Sequence, residues 1–261
     1  MTTRLALVVV VGLLGIARGR GAAAADGQQI FQEVAARDAG YGTYKASVTM
    51  LLKEKSGSTS VRKLEIASKE TKGDGARVLI VFNSPADVKG TKVLTASHVG
   101  KSDEQWIYLP AFSRVKQIST ANQSAAFMGS EFSYEDLASI NIQVAKFTYQ
   151  YLKEETLDGA PCFVVERRPT YEKSAYLRQV AWIDEKDYVI KRVEYYDQDA
   201  RPMKILRTSG YQKYLERHLR PAEMVMENPR TGSATVLQWE QYKFQGSGVS
   251  DGDFDLGALK R

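Results

Sequence analysis

Few residues in this 261-residue sequence have the types and spacing that catalysis or metal binding requires. Only two histidines are present, His98 and His218, which are too few for a histidine-rich metal site, and we interpret both as structural. The Gly-Lys-Ser run at 100–102 lacks the earlier glycine that a phosphate-binding loop needs. The acidic run at 251–255 begins like a calcium loop, but Leu256 stands where that loop needs glycine. We therefore expect a protein that is not an enzyme and that uses no metal or cofactor.

A different feature, the segment AAFMGSEFSYEDL at 125–137, has the residue types to contact an apolar ligand. It places Phe127, Met128, Phe132 and Tyr134 among small residues, so it is too polar for a buried helix and too apolar for an ordinary surface loop. Methionine adapts to varied apolar shapes, and soluble proteins seldom leave such a segment exposed without a partner. The residues leave two alternatives open: the segment folds inward as plain core, or it lines the mouth of an apolar cavity.

The N-terminus predicts export. Residues 5–17 form an apolar run that suits a secretory signal but is short for a membrane span. We expect residues 1–25 to be a cleaved signal peptide and residues 26–261 to form a single domain. Arg18 and Arg20 follow the apolar run, which is unusual for a signal peptide, and they keep an uncleaved anchor as the alternative.

Charge and cysteine content argue against a nucleic-acid partner and against an internal disulfide. The net charge of +5 falls to +2 once the three arginines of residues 1–25 are set aside, so the surface has no footprint for nucleic acid. Hydrophobic residues make up 43% of the chain, as in an ordinary globular domain. Cys162 is the only cysteine, so no internal disulfide can form. We expect a monomer.

The elements that must position the apolar segment are mostly strands. One helix is predicted over 28–39 and a short one over 134–139, capped by Ser133. Between and after them, turn signals recur every 8–12 residues and delimit about ten or eleven strands, which favours an antiparallel meander. Many strands have one apolar and one charged side, so the sheet must curl over something, and the two helices are available as covers.

Five segments of the sequence occur in a characteristic order, and they are RVLIVFNSPADVKGTKVLT, DEQWIYLPAFSRVKQI, FMGSEFSYEDL, VAWIDEKDYVIKRVEYYDQDARPMKIL and PAEMVMENPRTGSATVLQWEQYKF. Together they resemble the outer-membrane lipoprotein-sorting family, and in particular its LolA-like branch of periplasmic proteins. The resemblance covers residues 28–256. It implies a mainly β fold, an unclosed antiparallel β-barrel with helices covering its concave face, and a location in the periplasm.

The same resemblance implies a function. It predicts a periplasmic carrier that binds an apolar ligand, either lipoprotein acyl chains or lipid, in the concave face of a curled sheet. Covering each CH₂ group of such a chain is worth about 0.8 kcal/mol. The carrier would transfer its ligand toward the outer membrane. The alternative is a non-enzymatic accessory or interaction module of an inner-membrane lipid exporter, whose groove is filled by its own side chains.

The match to the family motifs also implies the residues that bind the ligand. They are Val81, Phe82, Trp106, Tyr108, Phe127, Met128, Phe132 and Tyr134. Phe127, Met128, Phe132 and Tyr134 are expected to form a gate or wall of the binding site. Trp106 and Tyr108 are expected to form its floor. Val81 and Phe82 are neighbours in a strand whose two faces the sequence does not assign, so only one of them is expected to point inward.

Overall fold

A computed structural model describes residues 26–138 and 142–261 of the chain. The predicted signal peptide, 1–25, lies outside these residues, as does Ser139 at the predicted end of the second helix. The described chain is mainly β, with few helices, and its strands form one large antiparallel sheet that is not closed into a barrel. The predicted class, a mainly β protein with an unclosed antiparallel sheet, is confirmed at this level.

Helix α1 (Gly27–Asp38) lies within one residue of its predicted bounds. The side chain of Asp26 caps it, because its carboxylate accepts a hydrogen bond from the backbone N–H of Gln28 at 2.9 Å. The apolar residues recur at helical spacing and bury one face of the helix. The buried residues of α1 are Gly27, Ile30, Phe31 and Val34.

Helix α2 (Tyr134–Ala138) is short and begins at the predicted cap. The N–H of Asp136 donates to Oγ of Ser133 at 3.1 Å, and the N–H of Ser133 donates to Oδ2 of Asp136 at 2.7 Å. This reciprocal pair is a capping box, which satisfies backbone N–H groups that the first helical turn leaves without partners.

The described residues contain fifteen strands, more than the ten or eleven predicted. They are β1 (Thr43–Lys53), β2 (Thr59–Glu70), β3 (Ala76–Ser84), β4 (Lys92–Ala96), β5 (Glu104–Leu109), β6 (Arg114–Gln117), β7 (Phe147–Leu157), β8 (Ala160–Pro169), β9 (Arg178–Asp184), β10 (Ile190–Tyr196), β11 (Pro202–Ser209), β12 (Gln212–Tyr214), β13 (His218–Arg220), β14 (Glu223–Asn228) and β15 (Ser233–Phe244). Two of the additional strands, β12 and β13, have a local cause. Gly210, at φ 67°, ends β11 before β12, and β12 and β13 are too short to show an alternating pattern.

Thirteen strands form the sheet, in the order β6-β5-β4-β3-β2-β1-β15-β14-β11-β10-β9-β8-β7. Strand β1 lies near its middle and pairs with both β2 and β15, which brings the first and last long strands together. Strands β6 and β7 are the free edges, and β12 and β13 pair with each other outside the sheet as a hairpin. Among the described residues, no helix is long and apolar enough to cross a membrane.

The two faces of the sheet carry separate apolar clusters, because successive residues of a strand point to opposite sides. In β1, Tyr44, Ala46, Val48 and Met50 point to the side that holds the main hydrophobic core, which we call the core face. Residues of α1 and of segment 127–137 belong to the same core.

The opposite face carries two smaller clusters. On β4 and β5, Leu94 and Trp106 pack against Phe254 and Leu259 of the C-terminal segment. That segment contains the acidic run that begins like a calcium loop, and the structure uses it as a cover for this face. The second cluster lies on β8 and β9 and contains Cys162, Val164, Val180 and Trp182.

Candidate functional site

The segment 125–138 packs on the core face, where its residue Phe127 lies over β3 and its residues Glu131 and Asp136 reach β15 and β11. Phe127 is 1% exposed, and its ring centroid lies 5.6 Å from that of Phe82 on β3 and 5.6 Å from that of Tyr134 on α2. Met128 has φ 50°, and its carbonyl oxygen accepts a hydrogen bond from the guanidinium of Arg62 on β2. In the half of the face formed by β1 to β4, which we call the filled half, the protein's own side chains occupy the space above the strands.

A buried ion pair holds the segment in place. The ammonium of Lys204 on β11 contacts the carboxylate of Asp136 on α2, and both side chains are at most 5% exposed. Asp136 also accepts hydrogen bonds from the N–H of Ser133 at 2.7 Å and from the hydroxyl of Tyr176 at 2.8 Å. The carboxylate thus meets several donors at once, which is what a buried charge needs to be tolerated.

The neighbouring residue Glu135 ties α2 to the loop after β8. Its carboxylate accepts hydrogen bonds from the hydroxyl of Tyr171 at 2.7 Å, from the N–H of Ala175 at 3.0 Å and from the hydroxyl of Ser174. Burial raises the pKa of Glu135 above its ordinary value, although these three hydrogen bonds act in the opposite direction.

The other half of the core face, formed by β10, β11, β14 and β15, is not filled. A cavity of about 330 Å³ lies above these strands, and α1 and the β12–β13 hairpin border it. We call this half the open half. The cavity volume falls in the range of small-molecule binding sites, which are mostly apolar and largely preformed. The side chains of its floor are Val193, Leu206, Met224, Met226, Leu237 and Trp239.

One wall of the cavity carries a polar atom without a partner. The indole Nε1 of Trp239 is buried and makes no hydrogen bond to any residue in the described part of the chain. A buried donor left unpaired costs about 1–3 kcal/mol.

The rim near α1 is fastened by Arg220 of β13. Its guanidinium contacts the carboxylate of Asp38 at the end of α1, and it lies 5.3 Å from the ring centroid of Tyr41 and 5.8 Å from that of Tyr44. The adjacent Arg217 donates a hydrogen bond to the carbonyl of Ala39 at 2.7 Å, where the helix ends. These contacts fix the hairpin against the C-terminus of α1, whose dipole favours a cation there.

The eight residues expected to bind ligand do not form one site. Phe82 and Phe127 are buried in the main core, Tyr134 and the half-buried Met128 pack against it, and Phe132 alone of the eight lines the cavity. Val81 is half-buried, and because it precedes Phe82 in β3 it points to the opposite face.

The structure places the expected floor, Trp106 and Tyr108, away from the cavity of the open half. Both residues pack on the opposite face of the sheet, in the cluster that Phe254 and Leu259 of the C-terminal segment complete. They share a side of the strand, as their spacing requires, but the spacing alone does not say which face of the sheet that side joins. In β5, the residues that point to the core face are Gln105 and Ile107.

The sequence reasoning missed the floor of the open half. Val193 lies between Arg192 and Glu194 in β10, and in β15 Leu237 and Trp239 alternate with the polar residues Gln238 and Glu240, so a period of two marks them as residues of a buried face. That pattern identifies the face. It does not say that the space above these residues stays empty, because this depends on which segments pack over them.

The histidines have structural surroundings. His98 lies 2.6 Å from the carboxylate of Asp74, and His218 is buried with its ring centroid 6.5 Å from that of Tyr41 and 6.3 Å from that of Phe244. Over residues 26–138 and 142–261, no group of three or more His, Cys, Asp or Glu is arranged to hold a metal ion.

With this geometry in view, comparison with known structures assigns the family. An outer membrane lipoprotein-sorting protein domain from Vibrio parahaemolyticus is 41% identical, with a TM-score of 0.87, over 90% of this chain and 98% of that chain. The chain belongs to the outer-membrane lipoprotein-sorting protein family. This membership confirms the resemblance seen in the sequence.

Two further structures agree with this family assignment. A DUF1329 family protein from Desulfovibrio piger is 33% identical, with a TM-score of 0.83, over 89% of this chain and 97% of that chain. The LolA superfamily protein NE2245 from Nitrosomonas europaea is 17% identical, with a TM-score of 0.69, over 90% of this chain and 100% of that chain, and it shows a shared fold. A family model described as an uncharacterized protein family matches residues 74–261. The comparison with curated proteins gives no match.

Proposed function

We propose that the protein is a periplasmic, non-enzymatic carrier that binds an apolar ligand, lipoprotein acyl chains or lipid, in the concave face of its sheet. Helices α1 and α2 cover that face, and the ligand is carried toward the outer membrane. The observation that carries the proposal is the cavity of about 330 Å³ above the apolar floor of the open half. Membership of the lipoprotein-sorting family supports the same function.

The driving force for binding is removal of apolar surface from water. Each buried CH₂ group contributes about 0.8 kcal/mol, so a long acyl chain gains far more from a dry cavity than a short one. The floor requires no rearrangement to receive the chain, because its side chains are already held apart from α1. Preformed cavities of this kind avoid the cost of ordering the site when the ligand arrives.

The proposal is tested by asking whether the native protein carries lipid and whether filling the cavity removes it. Met224, half-buried on the cavity floor, is replaced by Trp, and Val61, 48% exposed on β2, is replaced by Trp as a control. Native mass spectrometry of protein extracted from its own periplasm should show lipid on the wild type and on Val61→Trp. It should show little on Met224→Trp. Wild-type protein that carries no lipid and that fails to bind an added acyl chain would contradict the carrier function.

A second candidate function follows from the filled half. There, Phe127 and its neighbours close the core face with the protein's own side chains, as expected of an accessory or interaction module of an inner-membrane lipid exporter. Affinity capture from membranes distinguishes the two functions. Recovery of an exporter by Met224→Trp, whose cavity is blocked, would favour the interaction module. A carrier needs the open cavity to receive its ligand, so Met224→Trp should then recover less exporter than the wild type.

A further inference from the structure

Lys204 and Arg167 are buried cations of the core face, Arg220 borders this face with its side chain 11% exposed, and the three differ in their partners. Lys204 contacts the carboxylate of Asp136, and Arg220 contacts that of Asp38. The third is Arg167 on β8, which is 6% exposed. No Asp or Glu of the described chain lies within 4.0 Å of its guanidinium. Arg167 is therefore a buried positive charge without a negative partner of its own.

The surroundings of Arg167 only partly replace such a partner. Its Nε donates a hydrogen bond to Oε1 of Gln179 at 2.7 Å, and its guanidinium lies 4.5 Å from the ring centroid of Phe147 and 5.1 Å from that of Phe31. Its terminal nitrogens donate no hydrogen bond within the part of the chain that the structure describes. Aromatic faces attract a cation, but they do not accept the hydrogen bonds that guanidinium offers in a fork. Over residues 26–138 and 142–261, the one side-chain acceptor of a hydrogen bond from this guanidinium is Gln179.

Arg167 also lies where two cavities of different character meet. It borders the cavity of the open half, whose floor is apolar. It borders a second cavity of about 470 Å³ as well, which is lined mainly by polar and charged side chains. In that second cavity, Lys146 pairs with Asp103, and Glu135 accepts the three hydrogen bonds described above, so these two acids have donors of their own.

We infer that Arg167 binds the anionic head group of an amphipathic lipid, a carboxylate or phosphate, whose acyl chain lies in the apolar cavity of the open half. The inference rests on the proposed carrier function and specifies its ligand class. A carboxylate or phosphate accepts two parallel hydrogen bonds from one guanidinium, which satisfies the terminal nitrogens and neutralises the buried charge.

The dimensions agree with this arrangement. Arg167 lies on β8 and Trp239 on β15, which are five strand spacings apart in the sheet order. At about 4.8 Å per spacing, the path along the sheet between them is about 24 Å. The acyl chains of one leaflet span roughly 15 Å, which is half the hydrocarbon core of a bilayer. Measured along the sheet, the path from Arg167 to the far end of the cavity floor is therefore longer than one such chain.

The test compares two ligands with the same acyl chain, palmitate, whose head group is an anion, and its neutral methyl ester, on the delipidated full-length protein. Wild-type protein should bind palmitate about tenfold more tightly or better, which corresponds to one charge-assisted hydrogen-bonded contact. Arg167→Gln should reduce palmitate affinity by about the same factor and leave methyl palmitate affinity within about twofold. Arg167→Lys, which keeps the charge, should recover part of the palmitate affinity.

The matched control is Arg178→Gln. Arg178 on β9 also stacks on an aromatic ring, 3.6 Å from the centroid of Tyr196, but it pairs with Glu166 on the opposite face of the sheet. This variant should bind palmitate as the wild type does. An equal loss in Arg178→Gln and Arg167→Gln would overturn the inference, because the effect would then be one of stability.

The outcomes separate the inference from the carrier function. Equal wild-type affinity for palmitate and methyl palmitate would overturn the role of Arg167 and leave the carrier function standing. Displacement of palmitate by inorganic phosphate at low concentration would assign Arg167 to a free anion and overturn the amphipathic ligand. Failure of both palmitate and its ester to bind would overturn the carrier function together with the inference. The comparison within the wild type does not depend on whether any variant folds.

Discussion

The two halves of the core face use the same sheet and similar residues, yet one is filled and the other is open. Over β1 to β4, Phe127 packs between Phe82 and Tyr134 above the strands. Over β10, β11, β14 and β15, an equally apolar floor faces a cavity of about 330 Å³. Both halves have strands with one apolar side. This pattern therefore does not decide whether other side chains fill the space above the strands.

What distinguishes the halves is the placement of two ion pairs, of which one is buried and the other partly exposed. Lys204 ties α2 to β11 through Asp136, and Arg220 ties the end of α1 to β13 through Asp38. Protein interiors are close-packed, so an unsupported cavity would collapse by movement of its walls. A buried charge pair resists such movement, because separating the charges leaves each of them unpaired in a low-dielectric interior. The pairs hold the helices in place beside a floor that they do not fill.

The largest expected effect comes from removing a side chain of the filled half and comparing it with one of the open half. Phe127→Ala should lower the free energy of unfolding by about 3–5 kcal/mol, because the site is packed on all sides and a cavity results. Leu206→Ala, on the cavity floor, should cost about 2 kcal/mol, at the low end for such a change, since Leu206 already borders empty space. Urea denaturation measures both values. Equal losses would contradict the distinction between the halves.

The next effect concerns the ion pair that holds α2. Lys204→Met should lower the free energy of unfolding by about 3 kcal/mol, because it leaves the Asp136 carboxylate buried without its cation. Arg207 on the same strand pairs with Glu227, and both side chains are about half exposed, so Arg207→Met should cost about 1 kcal/mol or less. Chemical denaturation of the two variants in parallel gives the comparison. A Lys204→Met loss no larger than that of Arg207→Met would show that the pair does not anchor the helix.

A smaller, optical effect sharpens the position of the cavity. The chain has three tryptophans, and of these Trp239 lines the cavity while Trp106 and Trp182 lie in the clusters of the opposite face. Titration with palmitate or its methyl ester should therefore shift the emission of Trp239, whose surroundings change when the cavity fills. The shift should persist in Trp106→Phe and Trp182→Phe and disappear in Trp239→Phe. A shift that survives in Trp239→Phe would place the ligand elsewhere.

The smallest expected effect is a pH dependence that belongs to the filled half. Burial raises the pKa of Glu135 in the folded state, so the folded protein holds this proton more tightly than the unfolded chain. The contribution is fully present below the ordinary pKa of a glutamate and is lost as pH rises through the raised value. Wild-type stability, measured by thermal unfolding over a pH series, should fall across that interval relative to Glu135→Gln, which cannot titrate. Parallel curves for the two proteins would contradict this assignment.

Much of the fold could be predicted from local patterns. The helix at 27–38 has its apolar period and its cap within a dozen residues, and Ser133 with Asp136 marks the start of α2 in the same local way. The strand count came out too low where the signal was weakest. The hairpin of β12 and β13 consists of three-residue strands, which cannot show alternation.

The site could be predicted only in part. The expected and observed places of its residues differ because local sequence patterns do not say which residues meet in the tertiary structure. Phe127 and Phe132 are neighbours in sequence and were given one role, yet Phe127 plugs the filled half and Phe132 reaches the cavity. Trp106 was assigned to the wrong face because alternation pairs residues on a side without saying which side faces the core. No pattern in the sequence distinguishes Arg167 from the other arginines and lysines of the chain.

The sequence by itself determined the strand-rich class, the two helices with their caps, the family and the apolar character of one strand side, since each of these is carried by neighbouring residues or by ordered motifs. Tertiary structure alone decided which half of the core face stays open, which cation remains without an acid and that the C-terminal segment covers Trp106. The physical reason is that occupancy and charge pairing depend on contacts between residues far apart in the chain. Asp136 meets Lys204 across 68 residues, and no local pattern encodes such a contact.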